Sequence, residues 1–378
     1  MKVYFDNAST TPLHQDVIDT MTSLLENNFG NPSSIHSHGR TSRAIIEGAR
    51  KKIANILNTS IGEIFFTSCA TEANNMILKM AVAHLGIRKI IYSPLEHHCV
   101  FHSIDYLVKE NDIEAVILPI DTSGTIDYDF LEKELKSTIV PCLVSVMHGN
   151  NEIGVMNDIK KIGELCRETE AYFHSDIVQT IGKFPLDLQK LNLHFACGSA
   201  HKFHGPKGVG FAYIRNDAII PPYIHGGSQE RNMRAGTENL YGIAGMAKAL
   251  EVSVQNVDTW RKKISKLKYY FIDQLENEIK GIKLNGQRDG LYHVASISFP
   301  PSPKSELLMF NLDIAGISCS SGSACSSGIE SDSHVLQAIN HDPTRKTIRF
   351  SFSHLNTMEE ADFVIEKLKE FCNTNVVT

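Results

Sequence analysis

Leu193-His194-Phe195-Ala196-Cys197-Gly198-Ser199-Ala200-His201-Lys202, continuing through Phe203-His204-Gly205-Pro206-Lys207-Gly208 to Val209, decides how this chain is read. Leu193 to Ala196 is a strand-like apolar run, and Val209 to Ile214 is a second. The residues between them are small, polar or turn-forming, and Lys202 lies among them. A lysine so placed sits at a turn beside a sheet rather than on a solvated face. Burial lowers a lysine pKa, which favours the neutral amine that Schiff-base chemistry needs. For an isolated lysine the commoner use is a loop side chain with its ammonium in water. Gly205-Pro206-Lys207-Gly208 is no P-loop, because it lacks the spacing and the following Ser or Thr.

Outward from this stretch, strand-like and helix-like segments alternate. Glu63 to Thr67, Lys89 to Tyr92, Ala115 to Leu118, Cys142 to Val146 and Ala171 to Phe173 read as strands. Helical spacing links Ala73, Met76, Ile77, Met80 and Ala81, and again Ile159, Ile162, Leu165 and Cys166. Such alternation predicts an α/β sheet, largely parallel, with helices on both faces. The last third differs. A long amphipathic segment from Thr259 to Ile279 precedes a strand at Val294 to Phe299 and a helix near Lys304 to Leu312. A strand at Thr347 to Phe352 and a helix near Met358 to Phe371 follow. This predicts a smaller α+β domain, with the boundaries 13–257 for the large domain and 1–12 with 258–378 for the small one. The longest loop candidates are 27–34, 223–239 and 320–331, and loops of that length usually carry function.

The chain has 378 residues, is 42% hydrophobic and carries a net charge of -6. That balance argues against a nucleic-acid-binding surface. No apolar run is long enough for a membrane span, and the N-terminus lacks the apolar region of a secretory signal. The eight cysteines form no C-x-x-C pair, so neither a zinc site nor a redox dithiol is expected, and no metal. The expectation is a cytoplasmic protein with reduced thiols.

Several short motifs carry possible chemistry. Asp176, in His174-Ser175-Asp176-Ile177-Val178-Gln179, ends a strand-like run. A carboxylate there can hold a ring nitrogen protonated, as in pyridoxal phosphate sites, or simply cap a helix. Only 26 residues separate it from Lys202, about one helix and one strand, so both can share a sheet edge. Thr67-Ser68-Cys69-Ala70-Thr71-Glu72 joins a strand to a helix. Small residues there leave N–H groups for a phosphate, and a plain cap by Ser68 or Thr71 is the equal alternative. His97 and His98 follow another strand and can stack on a ring, carry protons or face water. Arg349 suits bidentate capture of a carboxylate, although strand alternation alone turns it outward. Cys325 lies in Ser320-Ser321-Gly322-Ser323-Ala324-Cys325-Ser326-Ser327-Gly328, a composition that predicts motion and an accessible thiol.

Taken together and in this order, these motifs resemble the cysteine desulfurases of the NifS/IscS type, fold type I pyridoxal phosphate enzymes among the class V aminotransferase relatives. The likeness also includes Asp6-Asn7-Ala8-Ser9-Thr10-Thr11-Pro12, Gly30-Asn31-Pro32-Ser33-Ser34, His148-Gly149-Asn150-Asn151-Glu152-Ile153-Gly154 and Met233-Arg234-Ala235-Gly236-Thr237-Glu238-Asn239. It implies a large domain with a mostly parallel seven-stranded sheet flanked by helices, plus a smaller α+β domain. It implies that Lys202 is the Schiff-base lysine, Asp176 the partner of the pyridine nitrogen and Gln179 a contact of the phenolate oxygen. His97 would stack on the ring and assist proton transfer. Ala70, Thr71, Ser199 and His201 would hold the phosphate. Thr237 would reach the phosphate of a partner subunit, giving a homodimer with shared sites. Asn151 and Arg349 would bind the carboxylate of the L-cysteine substrate, and Cys325 would accept its sulfur as a persulfide.

A sulfur-acceptor protein for iron–sulfur cluster assembly or tRNA thiolation would follow. Cys69, Ser175, Ile177 and Ala200 depart from the usual residues around the cofactor pocket. Cys319 is expected to be structural. Two other readings compete: a selenocysteine lyase, and a protein of this fold acting as a sulfur carrier or partner-binding module.

Overall fold

The computed structural model describes residues 1–302, 305–321 and 333–372. Its strands are β1 (Val3–Tyr4), β2 (Ile64–Thr67), β3 (Lys89–Tyr92), β4 (Glu114–Ile117), β5 (Cys142–Ser145), β6 (Tyr172–Asp176), β7 (Phe195–Ser199), β8 (Gly210–Ile214), β9 (Lys283–Asn285), β10 (Val294–Phe299), β11 (Ile317–Ser318) and β12 (Lys346–Ser351). Its helices are α1 (Gln15–Asn27), α2 (Ser37–Ile56), α3 (Ala70–His84), α4 (His98–Glu110), α5 (Tyr128–Ser137), α6 (Ile159–Glu168), α7 (Leu240–Gln255), α8 (Val257–Glu278), α9 (Leu308–Ile314), α10 (His334–Ala338) and α11 (Met358–Cys372).

Seven strands form one sheet in the order β2-β8-β7-β6-β5-β3-β4. β8 runs antiparallel to both of its neighbours, and the other pairings are parallel. β5, β7 and β8 are buried at every position, as strands covered on both faces must be. On one face α1, α2, α5, α6 and α7 supply Val17, Ile46, Leu131, Ile162 and Leu250. On the other, α3 and α4 supply Met76, Ile77 and Ile104. β7 begins two residues later than the apolar run at Leu193 implies, and β6 extends to Asp176. Pairing decides this, because His174 opposite Phe195 sets the β6–β7 register whatever the local hydrophobicity. The result aligns Tyr92, Ser145, Asp176 and Ser199 near the carboxyl ends of adjacent strands, where α/β sheets bind ligands.

The last third builds a second core around the antiparallel sheet β12-β10-β9. Phe271 of α8, Phe299 of β10, and Phe350 and Phe352 at β12 pack there with Leu308 of α9 and Leu368 of α11. The chain start joins this core: β1 pairs in parallel with β11, and Val3 and Phe5 are buried in it. Cys319 packs against the same cluster with its Sγ 3.8 Å from Met309 Sδ. Burial pushes its thiol pKa up to about 12, which makes it a packing group rather than a nucleophile. Among the described residues, no helix is long and apolar enough to cross a membrane, and no group of His, Cys, Asp and Glu is suited to a metal ion.

Candidate active site

A cavity of about 360 Å³ opens at the carboxyl ends of β3, β5, β6 and β7, closed on one side by β12. Ala70, Thr71, His97, Asn151, Asp176, Gln179, Ser199, His201, Lys202 and Arg349 all line it. Thr237 does not. It lines a separate pocket with Ser68, Gly208 and Arg234. Cys325 lies outside the described residues, as does most of the loop expected at 320–331.

Lys202 ends a single 3-10 turn, Ala200–Lys202, that follows β7 directly. Its Nζ donates to the carbonyls of Ala8 at 2.7 Å and Ser9 at 2.8 Å. The amine is thus fixed against the cavity wall by the chain's N-terminal segment. Ala200 fits without strain because Gly205 opposes it; a Cβ on Gly205 would stand 2.8 Å from the Ala200 methyl. Ile177 is buried in the main core, and Ser175 is buried beside it.

Asp176 closes β6 and is almost fully buried. Its Oδ1 accepts from Val178 N at 2.9 Å, a turn contact rather than a helix cap. Its Oδ2 accepts from Asn74 Nδ2 at 2.9 Å. Asn74 is the hub that the sequence did not reveal. Its Oδ1 receives His174 Nε2 and Cys197 Sγ, each at 3.0 Å. Burial pushes the His174 pKa down to about 4, so this imidazole is neutral. Ser145 Oγ donates to its Nδ1, which leaves the proton on Nε2 to point at Asn74. A directed relay therefore ends on the Asp176 carboxyl group.

His97 is the N-cap of α4, and its Nδ1 accepts from Cys99 N at 3.2 Å. Cys99 Sγ lies 3.0 Å from the same nitrogen. Burial pushes the Cys99 pKa up to about 12, so the thiol keeps its proton and donates it to Nδ1. The His97 ring proton must then sit on Nε2. Burial lowers the His97 pKa, against the pull of Asp176. Glu96, just before it, is fully buried and its pKa is raised well above the usual range by desolvation.

Cys69, not Ser68 or Thr71, caps α3, and it makes no side-chain cap bond. Ser68 turns instead to Glu72, donating from its N at 2.9 Å and from its hydroxyl. The first-turn N–H groups of α3 thus remain open toward an anion.

Arg349 corrects the outward reading that alternation favours. It is 1% exposed, because the face of β12 that carries it looks onto the cavity and the N-terminal segment rather than water. Its Nη1 donates to Asn151 O at 3.0 Å and its Nη2 to Asp6 Oδ1 at 2.9 Å. The chain on either side of residues 322–332 meets this wall. Ser320 exchanges backbone hydrogen bonds with Arg349 at 2.7 and 3.2 Å. Ser333 donates to Glu152, and Glu152 and His334 both line the cavity. Asn74 and His334 stood in no motif of the sequence, while Glu152, Ala8 and Ser9 stood in motifs of the family likeness with no role assigned to them.

Comparison with known proteins agrees in family. The family model described as aminotransferase class-V matches residues 3–364. The protein named cysteine desulfurase IscS from Dictyoglomus turgidum is 42% identical over 97% of this chain and 94% of its own length. That of the same name from Clostridium botulinum strain Hall is 39% identical over 97% of this chain and 93% of its own. A solved structure described as a NifS-like protein superposes with a TM-score of 0.90 at 37% identity, covering 98% of this chain and 99% of its own. The chain belongs to the class-V aminotransferase family, among its IscS- and NifS-like members.

Proposed function

We propose that this enzyme is a pyridoxal phosphate-dependent cysteine desulfurase. L-Cysteine and the Cys325 thiol become L-alanine and a Cys325 persulfide. One carbon–sulfur bond breaks, one sulfur–sulfur bond forms, and the thiol proton is retained in the products. The observation that carries this reading is the convergence of Lys202, Asp176, His97 and Arg349 on one cavity.

The residues present fit the cofactor. The open N-terminus of α3, with Thr71, Ser199 and His201, suits a phosphate. Asp176, oriented by Asn74, suits a protonated ring nitrogen, and Gln179 the ring oxygen. Bound pyridoxal phosphate supplies an electron sink for the bond changes at the substrate's α-carbon.

The side chains do the rest. Lys202 takes the α-proton, and the neutral His97, with its proton on Nε2, stacks on the ring and passes protons. Arg349 and Asn151 bind the substrate carboxylate. Arg349 is held at the cavity wall for this by Asn151 on Nη1 and by Asp6 and Ser9 on Nη2. Both flanks of the segment bearing Cys325 end on the cavity wall, which favours sulfur collection inside the cavity and delivery outside it. We further propose a homodimer in which Thr237 reaches the partner's phosphate, and a protein acceptor that takes the sulfur toward iron–sulfur clusters or thiolated tRNA. The domain division at residue 257 is part of the same reading.

Alanine produced from L-cysteine with a thiol reductant tests the activity. Lys202→Ala should lose the yellow colour of the bound cofactor and lower alanine formation about a thousandfold. A variant that keeps both refutes the assignment.

A further inference from the structure

Residues 228–239 form an arm that is held in a costly shape. Glu230, Arg231 and Asn232 take φ values of 45°, 56° and 66°, three successive non-glycine residues in the left-handed region. Such conformations persist only where the surroundings impose them, and they cluster at functional sites.

The surroundings here are ionic. Glu230, 3% exposed, accepts both Nη groups of Arg50, itself 1% exposed, at 2.6 and 2.8 Å. Glu230 Oε2 also accepts from Phe66 N at 2.7 Å, and the Arg50 guanidinium lies 4.4 Å over the Phe66 ring. Three further pairs hold the same arm: Arg231 to Glu47 at 3.0 Å, Arg234 to Glu72 at 2.8 Å and Arg43 to Glu238 at 3.4 Å. Arg43, Glu47 and Arg50 follow helical spacing along one face of α2. Glu72 lies in the first turn of α3, whose start lines the main cavity.

A buried ion pair adds little net stability compared with apolar packing, so stability alone does not account for Arg50 and Glu230. The arm carries Thr237, and Thr237 is exposed outside its own chain's cavity. We infer that the Arg50–Glu230 pair is a positioning device: it locks the strained arm so that Thr237 is presented outward, to the phosphate bound in a second copy of the chain. This rests on the proposed role of Thr237 across a dimer. Arg50 and Glu230 themselves touch no cofactor.

Mixed dimers test it. Two tagged chains are co-expressed, the mixed dimer is isolated, and pyridoxal phosphate retained after dialysis is measured. The Glu230→Gln homodimer should lose cofactor about tenfold faster than the unmodified dimer. Pairing a Glu230→Gln chain with a Lys202→Ala chain should restore slow loss from the site that keeps Lys202, because its arm comes from the Glu230-containing partner. Pairing an unmodified chain with a Glu230→Gln/Lys202→Ala chain should give fast loss from the unmodified chain's site. An unchanged rate in the homodimer, or the reverse pattern in the two mixed dimers, overturns the inference. Should Glu230→Gln fail to fold, Arg234→Met, at a half-buried pair, should show the same trans pattern, and a cis pattern there is equally fatal. An unmodified protein that is monomeric or retains no pyridoxal phosphate instead removes the functional reading beneath it.

Discussion

At the scale of single residues, most of the proposed site consists of groups whose chemistry is visible in sequence and whose control is not. Lys202, Asp176 and Arg349 could be picked out as types. What holds them could not, because Asn74 belongs to no motif and Ala8 and Ser9 act through backbone carbonyls, which no residue type reports. Asn74 gives the sharpest prediction. Its amide donates to Asp176 Oδ2 at 2.9 Å. Asn74→Ala should therefore weaken cofactor retention roughly ten- to a hundredfold, the range for a hydrogen bond to a charged group. Retention at the unmodified level, measured by dialysis, would contradict the relay. Arg349 shows why alternation misled. Period-two logic assumes that one face of a strand meets water, and both faces of β12 are covered.

At the scale of elements, strands and long helices were legible because apolar runs and 3.6-residue spacing report burial directly. Their ends were not. β7 is shifted from its apolar run by its register with β6, and Ser68 turned to Glu72 instead of capping α3. Close approaches between elements were equally hidden. Gly163 lies inside α6, where glycine is poor for a helix by about 1 kcal/mol relative to alanine. A Cβ there would stand 2.0 Å from the Leu191 carbonyl oxygen. Contact outweighs propensity: Gly163→Ala should destabilise the protein by about 1–3 kcal/mol in denaturant unfolding. A stabilised variant would show that α6 can lift off this carbonyl without loss.

At the scale of the whole molecule, the buried histidines make stability depend on pH. Burial pushes the pKa values of His148 and His174 down to about 4. Their unfolded values lie near 6.5. Between these limits the unfolded chain binds the extra proton, so stability is lost as pH falls from about 6.5 to about 4. Glu96 works in the opposite sense: its raised pKa means that its contribution is lost as pH rises above the unfolded value. A comparison with His148→Gln isolates one histidine. The drop in Tm from pH 7.5 to 5.0 should be smaller in that variant, and an equal drop would exclude His148 as a contributor.

The sheet and the two cores followed from patterning along the chain. The separation of Thr237 from the main cavity did not, because it depends on how a strained arm is tied to α2 and α3. The proposed chemistry turns on one sulfur atom and one thiol. Mass spectrometry of the protein after brief incubation with L-cysteine, without reductant, tests it most directly. The expected result is a gain of one sulfur on the peptide containing Cys325, with alanine released in step, and no such gain in Cys325→Ser. Alanine release with no sulfur on Cys325 would contradict it.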